Sequence, residues 1–218
     1  MTPPQPFNDT PLTLPEDGML AEGYGRQIYN HPFDPSVVIK IAKLRPASDR
    51  ALRLHSALGF GPRAFGPLWN SQVEARELLR AAGRVGRVAR CCAQFRGLVS
   101  TNKGVGAMFD AVRAADGSLA PTALTHAQTH GHDPAMEAAI DAFWAEVKDN
   151  WIVLSDRALR NQVVVTTQNG YRLVAVDGIG ERTFIPIKSM SRRLHAKACD
   201  RYHAKMQAAY RKAARGDA

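Results

Sequence analysis

Two β-branched runs separated by an Asn-Gly pair constrain the fold of this chain more than any other feature. The runs are residues 163–166 and 173–176, and Gln168, Asn169 and Gly170 lie between them. An Asn-Gly pair between two such runs is the strongest short-range signal for a β-hairpin. We therefore expect the two runs to pair as antiparallel strands.

The predicted hairpin brings polar residues to its open end. Asn161 precedes the first strand and Asp177 follows the second, so their side-chain oxygens should lie close together. Asp156 stands five positions before Asn161, the spacing with which a phosphotransferase loop orients a hydroxyl and holds magnesium. Taken alone, this spacing favours a solvated turn capped by Asp and Asn. The hairpin and the second Asp favour magnesium, which takes such oxygens together with phosphate and water.

A lysine interrupts an apolar strand upstream. Residues 36–42 predict a buried strand that contains Lys40, and a buried lysine is costly unless it is paired. Residues 70–83 consist of helix formers and end in a glycine, which predicts a helix. Either Glu77 or Glu74 of this helix would face the strand and pair with Lys40.

Further strands complete a small sheet. Residues 20–29 have the pattern of a strand, a glycine turn and a second strand, and Gly23 and Gly25 form the turn. Residues 92–99 and 106–112 flank a Thr-Asn-Lys-Gly segment and predict another hairpin. Together with the lysine strand they predict a five-stranded sheet.

Five motifs follow one another along the chain: the glycine turn, the strand lysine, the helix glutamate, Asp-x-x-x-x-Asn and Asp-Gly. In this order they resemble the motifs of the protein-kinase-like superfamily. The chain is similar in particular to the bacterial YrbL family, the PhoP regulatory network proteins. The resemblance runs from about residue 18 to about residue 190. The segments that carry it are residues 23–26, 31–32, 39–41, 76–78, 108–112, 116–117, 149–153, 176–181 and 185–186.

The resemblance implies a compact, two-lobed α+β fold with a five-stranded antiparallel N-lobe sheet and a reduced helical C-lobe. It further implies ATP and Mg2+ in the cleft, with Lys40 on the phosphates, Glu77 (alternatively Glu74) orienting Lys40, and Asp156 as the base. The catalytic residues it suggests are Asp156 and Lys40. The residues it suggests for nucleotide binding are Gly23, Gly25, Lys40, Glu77, Asp110 and Val112. The residues it suggests for metal binding are Asn161 and Asp177.

The chain also departs from the kinase pattern. Leu154-Ser155 replaces the His-Arg pair, which leaves no pocket for a phosphorylated activation loop. Ala158 replaces the Lys that neutralises the transferring phosphoryl, although Arg157 or Arg160 could substitute for it. No Ala-Pro-Glu follows Asp177. The pattern therefore supports nucleotide and metal binding more than protein phosphorylation, so whether the chain is an enzyme stays open.

Two other function classes compete with a phosphotransferase. One is a pseudokinase, a nucleotide-dependent regulatory module that acts through the basic C-terminal helix. The other is a nucleic-acid-binding protein without a nucleotide site, which the ordered motifs disfavour.

Length and composition favour one soluble domain in the cytoplasm. The chain has 218 residues, 45% of them apolar, without a run of eighteen apolar residues. We expect a flexible tail over 1–17, an N-lobe over 18–113, a C-lobe over 114–190 and a basic helix over 191–218. Three cysteines cannot form a disulfide framework, so a reducing compartment fits best. The adjacent Cys91 and Cys92 are interpreted as small buried residues rather than a redox pair.

A helix is predicted to begin at Asp133-Pro134, because Asp caps a helix and Pro suits its first turn. Its core positions are Met136, Ile140, Phe143, Trp144 and Val147. The preceding His126, His130 and His132 could bind a transition metal with Asp133. Gly131 and Pro134 disrupt that geometry, so we interpret the segment as a solvated linker.

The last segment, from Lys188 onward, carries most of the net charge of +9. It predicts a helix that packs through an apolar stripe of Leu194, Ala198, Tyr202 and Met206. Its cations either form a solvated face or bind an anionic partner, which could be nucleic acid, a lipid headgroup or a phosphorylated molecule.

Overall fold

The computed structural model describes residues 10–23, 25–43, 65–181 and 187–216, and it divides into two compact units. The first unit is drawn from Met1–Leu68 and Phe95–Asp110, and the second from Trp69–Gln94 and Ala111–Ala218. Parts of the segments assigned in the sequence analysis lie outside the described ranges, namely residues 1–9, Tyr24, residues 44–64, residues 182–186 and residues 217–218.

The first unit is a five-stranded antiparallel sheet, which confirms the predicted sheet and, with the helices below, the α+β class. Its order is β1-β2-β3-β5-β4. The strands are β1 (Met19–Glu22), β2 (Arg26–Asn30), β3 (Val37–Ala42), β4 (Phe95–Thr101) and β5 (Gly104–Asp110). The predicted hairpin of β4 and β5 is present, although β4 begins three residues later than the sequence suggests.

The centre of this sheet explains the apolar sequence of β3. Strand β3 pairs with β2 on one side and β5 on the other, and all but its last residue are buried. A strand so enclosed needs apolar side chains on both faces, as the run around Lys40 provides. Ile39 and Ile41 pack with Tyr29 and Leu14 in one cluster.

Leu14 belongs to the segment that the sequence assigns to a flexible tail. Its side chain is 1% exposed, and Leu12 pairs with Thr101 at the end of β4. The side chain of Asn102 accepts a hydrogen bond from the Leu14 backbone N–H and donates one to the Leu14 carbonyl. The chain is therefore fixed to the sheet at this point.

The second unit contains helices and the hairpin of β6 (Gln162–Thr167) and β7 (Gly170–Ala175), which confirms the predicted hairpin. Its helices are α1 (Trp69–Val85), α2 (Ala123–His130), α3 (Pro134–Asp149), α4 (Ile187–Met190) and α5 (Arg192–Ala214). No helix in the described ranges is long and apolar enough to cross a membrane.

Helix α3 begins as predicted, with Asp133 accepting a hydrogen bond from the Ala135 N–H. All five predicted core positions of α3 are buried. The preceding segment is not a linker, however. It forms α2, capped by Thr122, and His126 in it is 4% exposed and stacks on His130.

The predicted stripe on α5 is wrong at its first position, because Leu194 is 46% exposed. The next residue, His195, is buried in its place, since its ring bonds the Ile152 carbonyl. The buried face also includes Ala198, Cys199, Met206, Tyr210 and Ala213.

Candidate functional site

The base of the β6–β7 hairpin aligns two of the predicted site residues. Gln162 pairs with Ala175, and the Val176 N–H donates to the Asn161 carbonyl at 2.9 Å. This backbone bond places Asn161 opposite the residue that precedes Asp177. The hairpin geometry foreseen from the Asn-Gly turn therefore extends to the first residues beyond the strands.

The loop that carries Asp156 lies against the loop of Asp177 and Gly178. The Gly178 carbonyl accepts hydrogen bonds from the Ser155 N–H at 2.7 Å and the Asp156 N–H at 3.3 Å, and from the Ser155 hydroxyl at 3.0 Å. Leu154 and Ile179 form a further antiparallel bridge. The two loops thus behave as one short paired segment.

Gly178 is required for this approach. Its φ is +76°, and a Cβ there would lie 2.3 Å from the carbonyl oxygen of Asp156. No side chain fits at that distance, and the left-handed conformation itself favours glycine. A glycine is therefore required after Asp177, because only a residue without a Cβ lets the loops of Asp156 and Asp177 approach this closely.

The Asp156 side chain is oriented locally and remains partly open to solvent. Its Oδ1 accepts a hydrogen bond from the Ala158 N–H at 3.1 Å, and its Oδ2 lies 3.6 Å from the Arg160 guanidinium. Arg157 lies instead with its guanidinium 3.6 Å from the ring centroid of Tyr202 on α5. Of the two arginines that could replace the missing kinase lysine, Arg160 is the one beside Asp156.

Buried groups of the second unit hold the backbone that leads to Asp156. Arg84 donates to the Trp151 carbonyl, His195 Nε2 lies 2.7 Å from the Ile152 carbonyl, and the Val153 N–H donates to Glu77 at 3.0 Å. Since a carbonyl only accepts, His195 Nε2 carries the proton. Trp151 has a φ of +51°, an uncommon value for a residue with a side chain. The segment before the predicted base is thus fixed residue by residue.

Burial changes the proton affinity of two of these groups. It raises the pKa of Glu77, although the Val153 N–H and the nearby Arg80 and Arg84 oppose this effect. It lowers the pKa of His195, because a charged imidazolium is poorly solvated in the interior. Sequence reasoning missed His195 and the role of Glu77 toward Val153, since neither follows from a motif.

Lys40 lies at the centre of the sheet, as predicted. It is 4% exposed, pairs in register with Ile28 and Ala107, and its Nζ lies 4.1 Å from the ring centroid of Phe109. The aromatic face and the two neighbouring strands hold this cation in a defined place. Its pairing with Glu77 or Glu74 stays a prediction. Both carboxylates are buried on α1.

The other residues predicted to bind the nucleotide lie at the ends of strands or beyond them. The Gly23 N–H donates to the Arg26 carbonyl, and the Gly25 carbonyl accepts from the Lys43 N–H, so both glycines border the β1–β2 turn. Asp110 ends β5 and accepts from Arg96 at 2.5 Å. Val112 packs on the cluster of Ala93, Ala120, Val163 and Val174.

Asn161 and Asp177 suit a metal ion whose other ligands are phosphate oxygens and water. In the described part of the chain, no cluster of three or more His, Cys, Asp or Glu side chains could hold a metal ion. This includes the predicted histidine segment around α2. Magnesium bound with a nucleotide needs only one or two protein oxygens besides phosphate and water, and Asn161 and Asp177 are of that type.

The five-stranded sheet, with a helix between its third and fourth strands in the sequence, and the paired acidic loops that follow define a small α+β protein. The family model of PhoP regulatory network protein YrbL matches residues 12–211. The chain therefore belongs to the YrbL family of PhoP regulatory network proteins.

Other comparisons add little to this assignment. No curated protein matches the chain. The crystal structure of the Mycobacterium tuberculosis PknI kinase domain is similar, with 16% identity and a TM-score of 0.44. The alignment covers 75% of this chain and 59% of that kinase domain, so the chain spans less than two thirds of its length.

Proposed function

We propose that this protein binds ATP with Mg2+ and is a small kinase-like phosphotransferase. The observation that supports the proposal is the hydrogen bonding of the Asp156 loop to the Gly178 carbonyl, next to Asp177 at the base of the hairpin. Two carboxylates and the Asn161 amide are thereby presented from paired backbone, as a site for phosphate chemistry requires.

Each residue has one role in this proposal. Lys40 binds the α- and β-phosphates, and Asn161 and Asp177 provide the oxygens for magnesium. Asp156, which is open to solvent, accepts the proton of the acceptor hydroxyl. Magnesium supplies charge neutralisation on the phosphates when it is bound.

Thermal and chemical unfolding with Mg-ATP test the binding. At about a hundred times its dissociation constant, Mg-ATP should stabilise the protein by about 2.7 kcal/mol. Asp177→Ala should remove the magnesium dependence. Asp116→Ala is the matched control, because Asp116 also precedes a glycine but caps an exposed turn. An unchanged stability of the wild type with Mg-ATP would refute the proposal.

A pseudokinase is the second candidate, favoured by the position of Arg157. Ala158 stands at the lysine position and Arg157 is stacked on Tyr202, so neither residue directly after Asp156 offers a cation to a transferring phosphoryl, and Arg160 lies 3.6 Å from the Asp156 carboxylate. The two candidates differ at Asp156. In a phosphotransferase, Asp156→Asn abolishes ATP turnover and leaves nucleotide affinity nearly intact. In a pseudokinase the wild type binds Mg-ATP but turns over none.

A further inference from the structure

Helix α5 places its polar residues on two distinct faces. One face forms a ladder of ion pairs and hydrogen bonds with α3. His203 and Gln207 contact Asp141, at 2.6 and 2.7 Å. Arg211 binds Glu137 through two nitrogens at 2.6 and 3.1 Å, and Asp200 accepts from Lys148 at 2.7 Å. These contacts pair Glu137 and Asp141 of α3 with α5, and Asp200 of α5 with α3.

A second face of α5 is basic and has no acidic counterpart. Lys197, Lys205 and Lys212 are exposed on α5; Lys205 and Lys212 are about two turns apart and share a face, whereas Lys197 lies about 80° around the helix from Lys205. Within the described ranges, none of the three forms an ion pair with a carboxylate. The row extends for about 22 Å along the helix, at about 1.5 Å per residue.

Apolar side chains continue this row at its N-terminal end. Ile187, Met190 and Leu194 are 49%, 71% and 46% exposed. Leu194 precedes Lys197 by three positions on α5, and Ile187 and Met190 lie on α4, which ends directly before the Ser191 cap of α5. A cluster of exposed apolar residues beside cations marks an interaction surface.

We propose that this basic-apolar face, formed by Ile187, Met190, Leu194, Lys197, Lys205 and Lys212, docks on an anionic lipid surface. A bilayer offers a negative headgroup layer and an apolar interior within a few ångströms of each other, which matches cations beside exposed aliphatic side chains. Nucleic acid would leave the three apolar residues without a partner. A second copy of the chain would oppose like charges.

Vesicle co-sedimentation tests the proposal. The wild type should sediment with phosphatidylcholine vesicles that contain phosphatidylglycerol, and should stay in solution with pure phosphatidylcholine. The triple variant Lys197→Gln, Lys205→Gln, Lys212→Gln should lose at least about tenfold in partition, since each cation contributes near the surface. Met190→Ser with Leu194→Ser should reduce the partition several-fold at unchanged net charge.

A control of equal charge separates this face from net charge. Lys43→Gln, Lys103→Gln and Arg113→Gln remove three cations elsewhere and should retain nearly all binding. Equal loss in this control, or full binding by the serine variant, would overturn the proposal. Failure of the wild type to bind anionic vesicles, or tighter retention on random duplex DNA, would do so too. Because ATP is absent from the assay, the result is independent of the proposed nucleotide site.

Discussion

At the scale of single residues, buried polar groups organise the loop before Asp156. His195 is a buried histidine because the Ile152 carbonyl needs a donor, and a buried carbonyl without one costs free energy. Glu77 satisfies the Val153 N–H in the same way. These two residues explain how the backbone before Asp156 is held in place.

His195 predicts a pH dependence of stability. Its folded pKa lies below the ordinary 6.5, so the unfolded chain binds a proton first as the pH falls. The free energy of unfolding therefore decreases as the pH falls through about 6.5. His195→Gln keeps a donor for Ile152 and removes the titration, so its unfolding free energy should fall less between pH 7.5 and 5.5. Denaturant unfolding at both pH values measures this.

The half-buried His31 provides the control for that experiment. His31→Gln should leave the pH dependence of the wild type in place, because this residue lies in the first unit and outside the loop. A His195→Gln variant with the same pH slope as the wild type would contradict the role assigned to His195.

Gly178 supports a second prediction at this scale. Gly178→Ala should destabilise the protein by about 3 kcal/mol or more, from the strained φ together with the contact to the Asp156 carbonyl. Gly117→Ala has a similar φ of +83° and nothing within 4 Å of its Cβ. It should cost only about 1–2 kcal/mol. Equal losses in urea unfolding would show that the contact with Asp156 is unimportant.

At the scale of elements, local signals decided which predictions held. The β6–β7 and β4–β5 hairpins and α3 follow from turn chemistry and capping, which depend on neighbouring residues alone. Helix α2 is short and histidine-rich, so its sequence resembled a linker. On α5 the sequence predicted the helix and the buried Ala198 and Met206, but it placed Leu194 inside where His195 is buried. The hydrogen bond between His195 and the Ile152 carbonyl, which no local pattern predicts, lies at this position.

The corrected face of α5 can be tested by paired substitutions. Met206 is 3% exposed and accepts a hydrogen bond from the Trp144 indole, so Met206→Asp should cost about 3–5 kcal/mol through an unpaired buried charge. Leu194→Asp should change the unfolding free energy by no more than about 0.5 kcal/mol, because its side chain reaches solvent. A loss for Leu194→Asp as large as that for Met206→Asp in thermal unfolding would restore the face predicted from the sequence, which contains both residues.

At the scale of the whole molecule, the order of the motifs predicted more than any single motif. The sheet, the buried Lys40 and the base of the hairpin follow from short segments read in sequence. The supports of the Asp156 loop do not, because Arg84, His195 and Tyr202 reach it from 67, 43 and 45 residues away along the chain. Contacts over such separations depend on the tertiary fold, which no local pattern encodes.

The reactivity of the cysteine thiols measures how readily the second unit opens. Cys91, Cys92 and Cys199 are free, buried and all within that unit. Burial raises the pKa of the Cys199 thiol to about 12, so little reactive thiolate exists while the fold is closed. In the native protein, Ellman's reagent should therefore modify essentially none of the three over minutes, and all three after denaturation. Lys197→Cys adds an exposed thiol on α5 that should react at once and so calibrate the reagent. Rapid native labelling of Cys199 would show that α5 separates from the unit far more easily than its packing through Met206 and Tyr210 implies.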